Sequence, residues 1–99
     1  MATAYTISYN RYQTVKLSER EIEVLYLIAY GFRNKEISQM LYLSIHTVDT
    51  YRKNLLFKMQ AKNTAGLVRR AYEENIFPME LPEFLHGIPK DLFIEKMNS

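Results

Sequence analysis

The stretch SIHTVDTYRKNLLFKM, residues 44–59, decides how the rest of the chain is read. Ser44 is a side-chain acceptor placed where a helix N-terminus leaves backbone N–H groups unpaired. Leu43 just before it and Val48, at the fourth helical position, have the spacing of a hydrophobic staple. Val48, Leu55 and Met59 form an apolar stripe, with Tyr51 and Arg52 between its ends. His46, Asp49, Thr50 and Lys53 recur at i, i+3, i+4 and i+7 and therefore share a different face. That face carries an imidazole, a carboxylate, a hydroxyl and an ammonium, groups that read base edges in a DNA groove. Taken alone, a solvated helix face is the plainer account of the same pattern. Arg52, Lys53 and Lys58 add positive charge along the helix.

The residues on the N-terminal side turn the balance. Residues 34–41 read as a short helix with Asn34 as its N-cap and Ile37, Met40 and Leu41 facing inward. Lys35 stands in its first turn, where free N–H groups and the positive dipole end already favour an anion such as a DNA phosphate. Only Tyr42 and Leu43 separate this helix from the next, so the two predict a helix-turn-helix. Further upstream, residues 17–31 predict another helix. Ser18 and Glu21 make a capping box, Leu17 and Ile22 a staple, and Ile22, Leu25, Ile28 and Ala29 an apolar face. Gly31 suits a left-handed stop, and Glu19, Glu21 and Glu23 complement the helix dipole. Downstream, Asn63 or Thr64 starts a fourth helix that ends near Asn75, itself suited to a left-handed cap. Its apolar residues Leu67, Val68, Ala71 and Tyr72 span more than one narrow stripe, and Gly66 weakens its start or admits a close neighbour.

The two ends are less regular. In residues 1–16 the alternation of Tyr5, Ile7 and Tyr9 permits a short strand, but no pairing partner is evident, so the segment reads equally as an arm or linker. Residues 78–99 are punctuated by Pro78, Pro82, Gly87 and Pro89, with a possible last helix over residues 90–97. The expected architecture is all-α: a four-helix bundle containing a helix-turn-helix over residues 17–77, an N-terminal arm (1–16) and a C-terminal extension (78–99).

Ninety-nine residues, 47% of them hydrophobic, suffice for one small packed domain. With no cysteine and with His46 and His86 far apart, neither a disulfide framework nor a metal site is expected, and no cofactor is implied. No apolar run is long enough to span a bilayer or to serve as a secretion signal, so a soluble, cytoplasmic domain is the expectation. Absence of a nucleophile–base pair, a phosphate loop or a metal spacing argues against an enzyme. Charge is unevenly placed. Residues 33–70 carry eight positive and two negative side chains, net +6, whereas residues 71–99 are net −4 and residues 1–32 neutral. A basic centre of this kind fits a localised polyanion-binding surface.

Residues 17–77 resemble the LuxR/GerE-type DNA-binding domain of bacterial transcription regulators. The resemblance is carried by Leu17-Ser18-x-Arg20-Glu21-x-Glu23-Val24-Leu25, Gly31, Asn34-Lys35-Glu36-Ile37-Ser38, Leu41, Ser44, Thr47-Val48, Lys58-Met59 and Asn75-Ile76-Phe77. It implies a third helix in the major groove, base contacts from Asp49, Thr50 and Lys53, and phosphate contacts from Lys35, Thr47, Tyr51, Asn54 and Lys58. It also implies a homodimer through the fourth helix. That helix has more apolar faces than one core needs, so Leu67 and Ala71 are expected to point in and Val68 and Tyr72 to point out. Two positions depart from the family pattern. Asp49 stands where lysine or arginine is frequent, and Tyr51 where histidine is frequent. A carboxylate can accept from a cytosine amino group but also repels phosphate.

The expected function is thus sequence-specific binding of double-stranded DNA as a transcription regulator, either stand-alone or as the output part of a longer protein. RNA polymerase or another regulator is a possible further partner. The alternative is a protein-interaction module that keeps the fold and acts on another regulator without binding DNA, motivated by Asp49 and the acidic end. The promoter-binding end of a sigma factor is a third reading, since it resembles residues 18–59.

Overall fold

In a computed structural model of the protein, residues 5–10 and 13–76 are described, with side chains from Val15 onward. The elements run β1 (Tyr5–Asn10), β2 (Gln13–Leu17), α1 (Glu19–Ala29), α2 (Asn34–Leu41), α3 (Ile45–Lys58) and α4 (Thr64–Glu73). The four helices form the expected all-α bundle, with bounds within two residues of those read from sequence. Residues 77–99, including the helix expected over 90–97, lie outside the described residues.

Each helix begins on a cap that its sequence announces, with one exception. Ser18 Oγ accepts from the Glu21 N–H at 3.1 Å while Glu21 Oε1 accepts from the Ser18 N–H at 2.8 Å, the reciprocal capping box. Ser44 Oγ accepts from the Thr47 N–H at 3.0 Å, and Asn63 Oδ1 from the Gly66 N–H at 2.9 Å. The exception is α2. Its cap position is Arg33, whose N–H donates to Glu36 Oε1 at 2.8 Å, and Asn34 lies inside the helix. The Asn34 side-chain oxygen Oδ1 is used elsewhere, as the acceptor for Arg52 Nε at 2.8 Å.

The helices also share one way of stopping. A left-handed residue follows each: Gly31 (φ 91), Tyr42 (φ 57), Gln60 (φ 53) and Asn75 (φ 55). The next residue then donates its N–H to a carbonyl five residues back, from Phe32 to Leu27, Leu43 to Ser38, Ala61 to Leu56 and Ile76 to Ala71, all at 2.9–3.1 Å. This is the Schellman geometry. Its apolar follower is fully buried at Phe32 and Ile76 and partly buried at Leu43 and Ala61, so each stop is also a core contact.

The core centres on α1. Ile22, Val24, Leu25, Tyr26, Leu27 and Ile28 are all buried, so α1 is covered on nearly every side rather than along the single stripe expected, while Ala29 is only half-buried. Helices α2, α3 and α4 pack around it and contribute Ile37, Val48, Leu55, Met59, Leu67 and Ala71. Leu41 and Met40, expected in the core, lie at its edge.

The N-terminal arm is a β-hairpin. β1 pairs antiparallel with β2, with Tyr5 opposite Leu17, Ile7 opposite Val15, and a bulge between Ser8 and Asn10. Leu17 is fully buried and Val15 packs on the core, so the end of the hairpin is sewn into the bundle. A second fastening is the Lys58 ammonium at the end of α3, 2.9 Å from Glu21 Oε1 and 3.3 Å from the Lys16 carbonyl oxygen.

Candidate nucleic-acid interface

α3 divides its side chains sharply. Val48 and Leu55 are completely buried with Met59 just beyond the helix, while His46, Thr50, Lys53, Asn54 and Phe57 are exposed. Positions 46, 50, 53 and 57 follow helical spacing, so they make one outward stripe. Hydrophobic burial on one side therefore fixes which groups the other side presents.

Within this stripe the base-reading residues expected from sequence are brought together. Lys53 Nζ lies 3.0 Å from Asp49 Oδ2, one turn away, with Lys53 the more exposed of the two. The Thr50 hydroxyl donates back to the His46 carbonyl at 3.1 Å. Asp49 thus carries its charge beside an ammonium, which offsets its repulsion of a polyanion. Of the expected phosphate-contacting residues, Lys35 is exposed in the first turn of α2 and Asn54 is exposed on α3. Thr47 accepts a hydrogen bond from Ser44 Oγ at 2.9 Å, and Tyr51 is half-buried with its body against the core.

Two of the expected site residues are also held by the bundle itself. Lys58, one-third exposed, is also tied to Glu21 and the Lys16 carbonyl, because a carboxylate 5% exposed requires a positive partner. Val68, expected to point outward, is half-buried: one side packs on the core, because α4 lies close to α1 and α3, and its outer edge stays accessible. Tyr72, in contrast, is 64% exposed and shares an outer face with Ala65 and Arg69.

Two other residues gain roles that the sequence reading gave them only in part. Arg52 joins three helices, donating from Nε to Asn34 on α2 and from Nη1 to Thr64 on α4 at 2.9 Å. Burial lowers its pKa and the Asp49 charge opposes that shift. Its two hydrogen bonds tie α3 to α2 and to the first residue of α4. Phe57, 85% exposed, extends the outward stripe beyond Lys53. Its position seven residues after Thr50 was the available signal. Among the described residues no His, Asp or Glu group could hold a metal, and no helix is long and apolar enough to cross a membrane.

Comparison with known proteins agrees with this geometry. The oxygen regulatory protein NreC of Staphylococcus carnosus is 38% identical over 60 residues, 61% of this chain and 28% of that protein. NreC of Staphylococcus aureus matches to the same extent. The chain thus spans little more than a quarter of the curated relatives it matches. Among solved structures, a Vibrio cholerae VqmA dimer described in the absence of its target DNA superposes with a TM-score of 0.62 at 27% identity, over 82% of this chain and 37% of that one. VqmA bound to DPO gives 0.54 at 27% identity, over 93% and 46%. The family profile for bacterial regulatory proteins, luxR family, matches residues 15–71, and the chain belongs to that family of DNA-binding regulators.

Proposed function

We propose that this chain binds double-stranded DNA sequence-specifically as a transcription regulator, with α3 lying in the major groove. The observation that carries the reading is the division of α3: one side anchored in the core by Val48 and Leu55, the other presenting His46, Thr50, Lys53 and Asn54 to solvent. Asp49, Thr50 and Lys53 face the bases. Lys35, Thr47, Tyr51 and Asn54 hold the phosphates on either side, with Lys35 at a helix N-terminus that itself favours an anion. One such helix reads only a few base pairs, so a homodimer through α4, with Tyr72 at its centre and the outer edge of Val68 beside it, supplies the second half-site. That the similar VqmA structure is a dimer supports a homodimer, while the α4 face rests on the exposure of Tyr72. The name of the staphylococcal relatives speaks of oxygen; the shared stretch is a minor part of those proteins, and only the DNA-binding role is carried to this chain.

The test is binding to a random duplex across a salt series, followed by selection from a randomised pool. Expected are an affinity that falls linearly on a log–log salt plot and recovery of an inverted repeat with half-site centres about 34 Å apart. Absence of salt-dependent binding would leave the protein-interaction reading in its place.

A further inference from the structure

The Asp49–Lys53 pair is an acceptor and a donor held side by side on the outward stripe of α3, 3.0 Å apart. An exposed pair of this kind adds little to stability, so stability does not account for it. Neither side chain makes another hydrogen bond among the described residues, which leaves lone pairs on the carboxylate and protons on the ammonium to be filled.

The major-groove edge of a G·C pair presents the complementary pattern. The cytosine N4 amino group is a donor. Beside it, about 2.9 Å away across the Watson–Crick bond, is the guanine O6 acceptor, with N7 next in line. We infer that Asp49 and Lys53 act as a single unit that reads one G·C pair. Asp49 accepts from cytosine N4, and Lys53 donates to guanine O6 and N7. The inference rests on the proposed placement of α3 in the groove and adds the identity of the base pair read.

An A·T pair also sets a donor beside an acceptor, adenine N6 beside thymine O4. There, however, the group beyond the acceptor is the thymine C5 methyl instead of a second acceptor. The ammonium gains one bond fewer and loses water against the methyl group, so the unit prefers G·C. Pairing also removes the objection to a carboxylate in this position. The two side chains together bring no net charge to the groove, and approach to the phosphates is left to Lys35 and the rest of the basic centre.

The experiment is selection and competition binding with the full chain and its Asp49→Ala, Lys53→Ala, double and Asp49→Asn variants, each checked for helix content. Wild-type protein should select one G·C pair per half-site whose replacement by A·T weakens binding about tenfold to a hundredfold. Both single alanine variants should lose discrimination at that same position, and the double variant should lose no more than either. Asp49→Asn should move the preference there toward A·T, because a carboxamide bonds adenine N6 and N7 together. Relaxation at two different positions, at none, or selection of A·T by the wild type would overturn the unit. Binding of wild type to random duplex separates the two claims. If it binds with a normal salt slope and the wrong position relaxes, only the unit fails; if it binds no duplex, the DNA-binding reading fails and the unit with it.

Discussion

At the scale of single residues, the four lysines of the basic centre are not equivalent. Lys35 is exposed at a helix N-terminus, Lys53 is paired on the outward stripe of α3, and Lys58 is fixed to Glu21. Lys62 is exposed in the turn before α4. Lys35→Ala should weaken binding to all duplexes alike and reduce the salt slope by about one, while Lys58→Ala should leave the slope unchanged. A slope that drops for Lys58→Ala would return that residue to the phosphate-contacting set. Glu21 explains why Lys58 is occupied. One carboxylate oxygen accepts from both the Ser18 N–H and Lys58 Nζ while the residue is 4% exposed. Glu21→Ala removes half of a capping box and leaves an ammonium one-third exposed without its partner. Partial solvation of Lys58 moderates the loss, so urea denaturation should show a cost of about 2–4 kcal/mol.

At the scale of elements, the helix stops carry a measurable strain. Gly31 has φ +91 and nothing within 4 Å of where a Cβ would stand, so Gly31→Ala meets no steric contact and its cost comes entirely from the backbone. Thermal or urea unfolding should find about 1 kcal/mol. A neutral outcome would mean that the turn relaxes out of the left-handed region. The junction of α1 and α4 carries a pH dependence. Burial raises the Tyr26 pKa well above its ordinary 10.0, and the hydrogen bond to Tyr30 and the neighbouring Tyr30 and Tyr72 act in the same direction. Below pH 10 both folded and unfolded chains keep this proton, and the stability is fully present. Above it the unfolded chain releases the proton while the folded chain holds it, so stability falls as pH rises. Urea midpoints at pH 9 and 11 should therefore fall more steeply for wild type than for Tyr26→Phe. Equal slopes would show that Tyr26 is not the group responsible.

At the scale of the whole molecule, the described residues include two exposed helix faces that matter for binding: the outward stripe of α3 and the outer face of α4. Because Val68 leans on the core, a charge there would disturb folding as well as association, and Tyr72 is the cleaner position. Tyr72→Glu, with Ala65→Glu on the same exposed face as a second variant, should leave helix content intact and half-site binding nearly unchanged. Binding to the full inverted repeat should weaken about tenfold or more, since a dimer gains its affinity from linking two half-site contacts. Parallel loss of half-site and full-site affinity, or no change in either, would exclude an α4 dimer.

The sequence by itself determined the four helices, three of the four caps, the left-handed stops at Gly31 and Asn75, and the separation of α3 into core and solvent-facing sides. Each of these depends on residues within about one or two turns of one another, so side-chain spacing and local hydrogen bonds suffice to specify them. Only the tertiary structure decided that Asn34 serves Arg52 and not its own helix, that Lys58 crosses to Glu21, that Val68 packs partly on the core, and that residues 13–17 pair with β1. Each of these depends on a partner from another element, and residue spacing within one element carries no record of which neighbour will pack against it. The same holds for Tyr42 and Gln60, where packing of the following Leu43 and Ala61 holds non-glycine residues in a conformation that local preference disfavours.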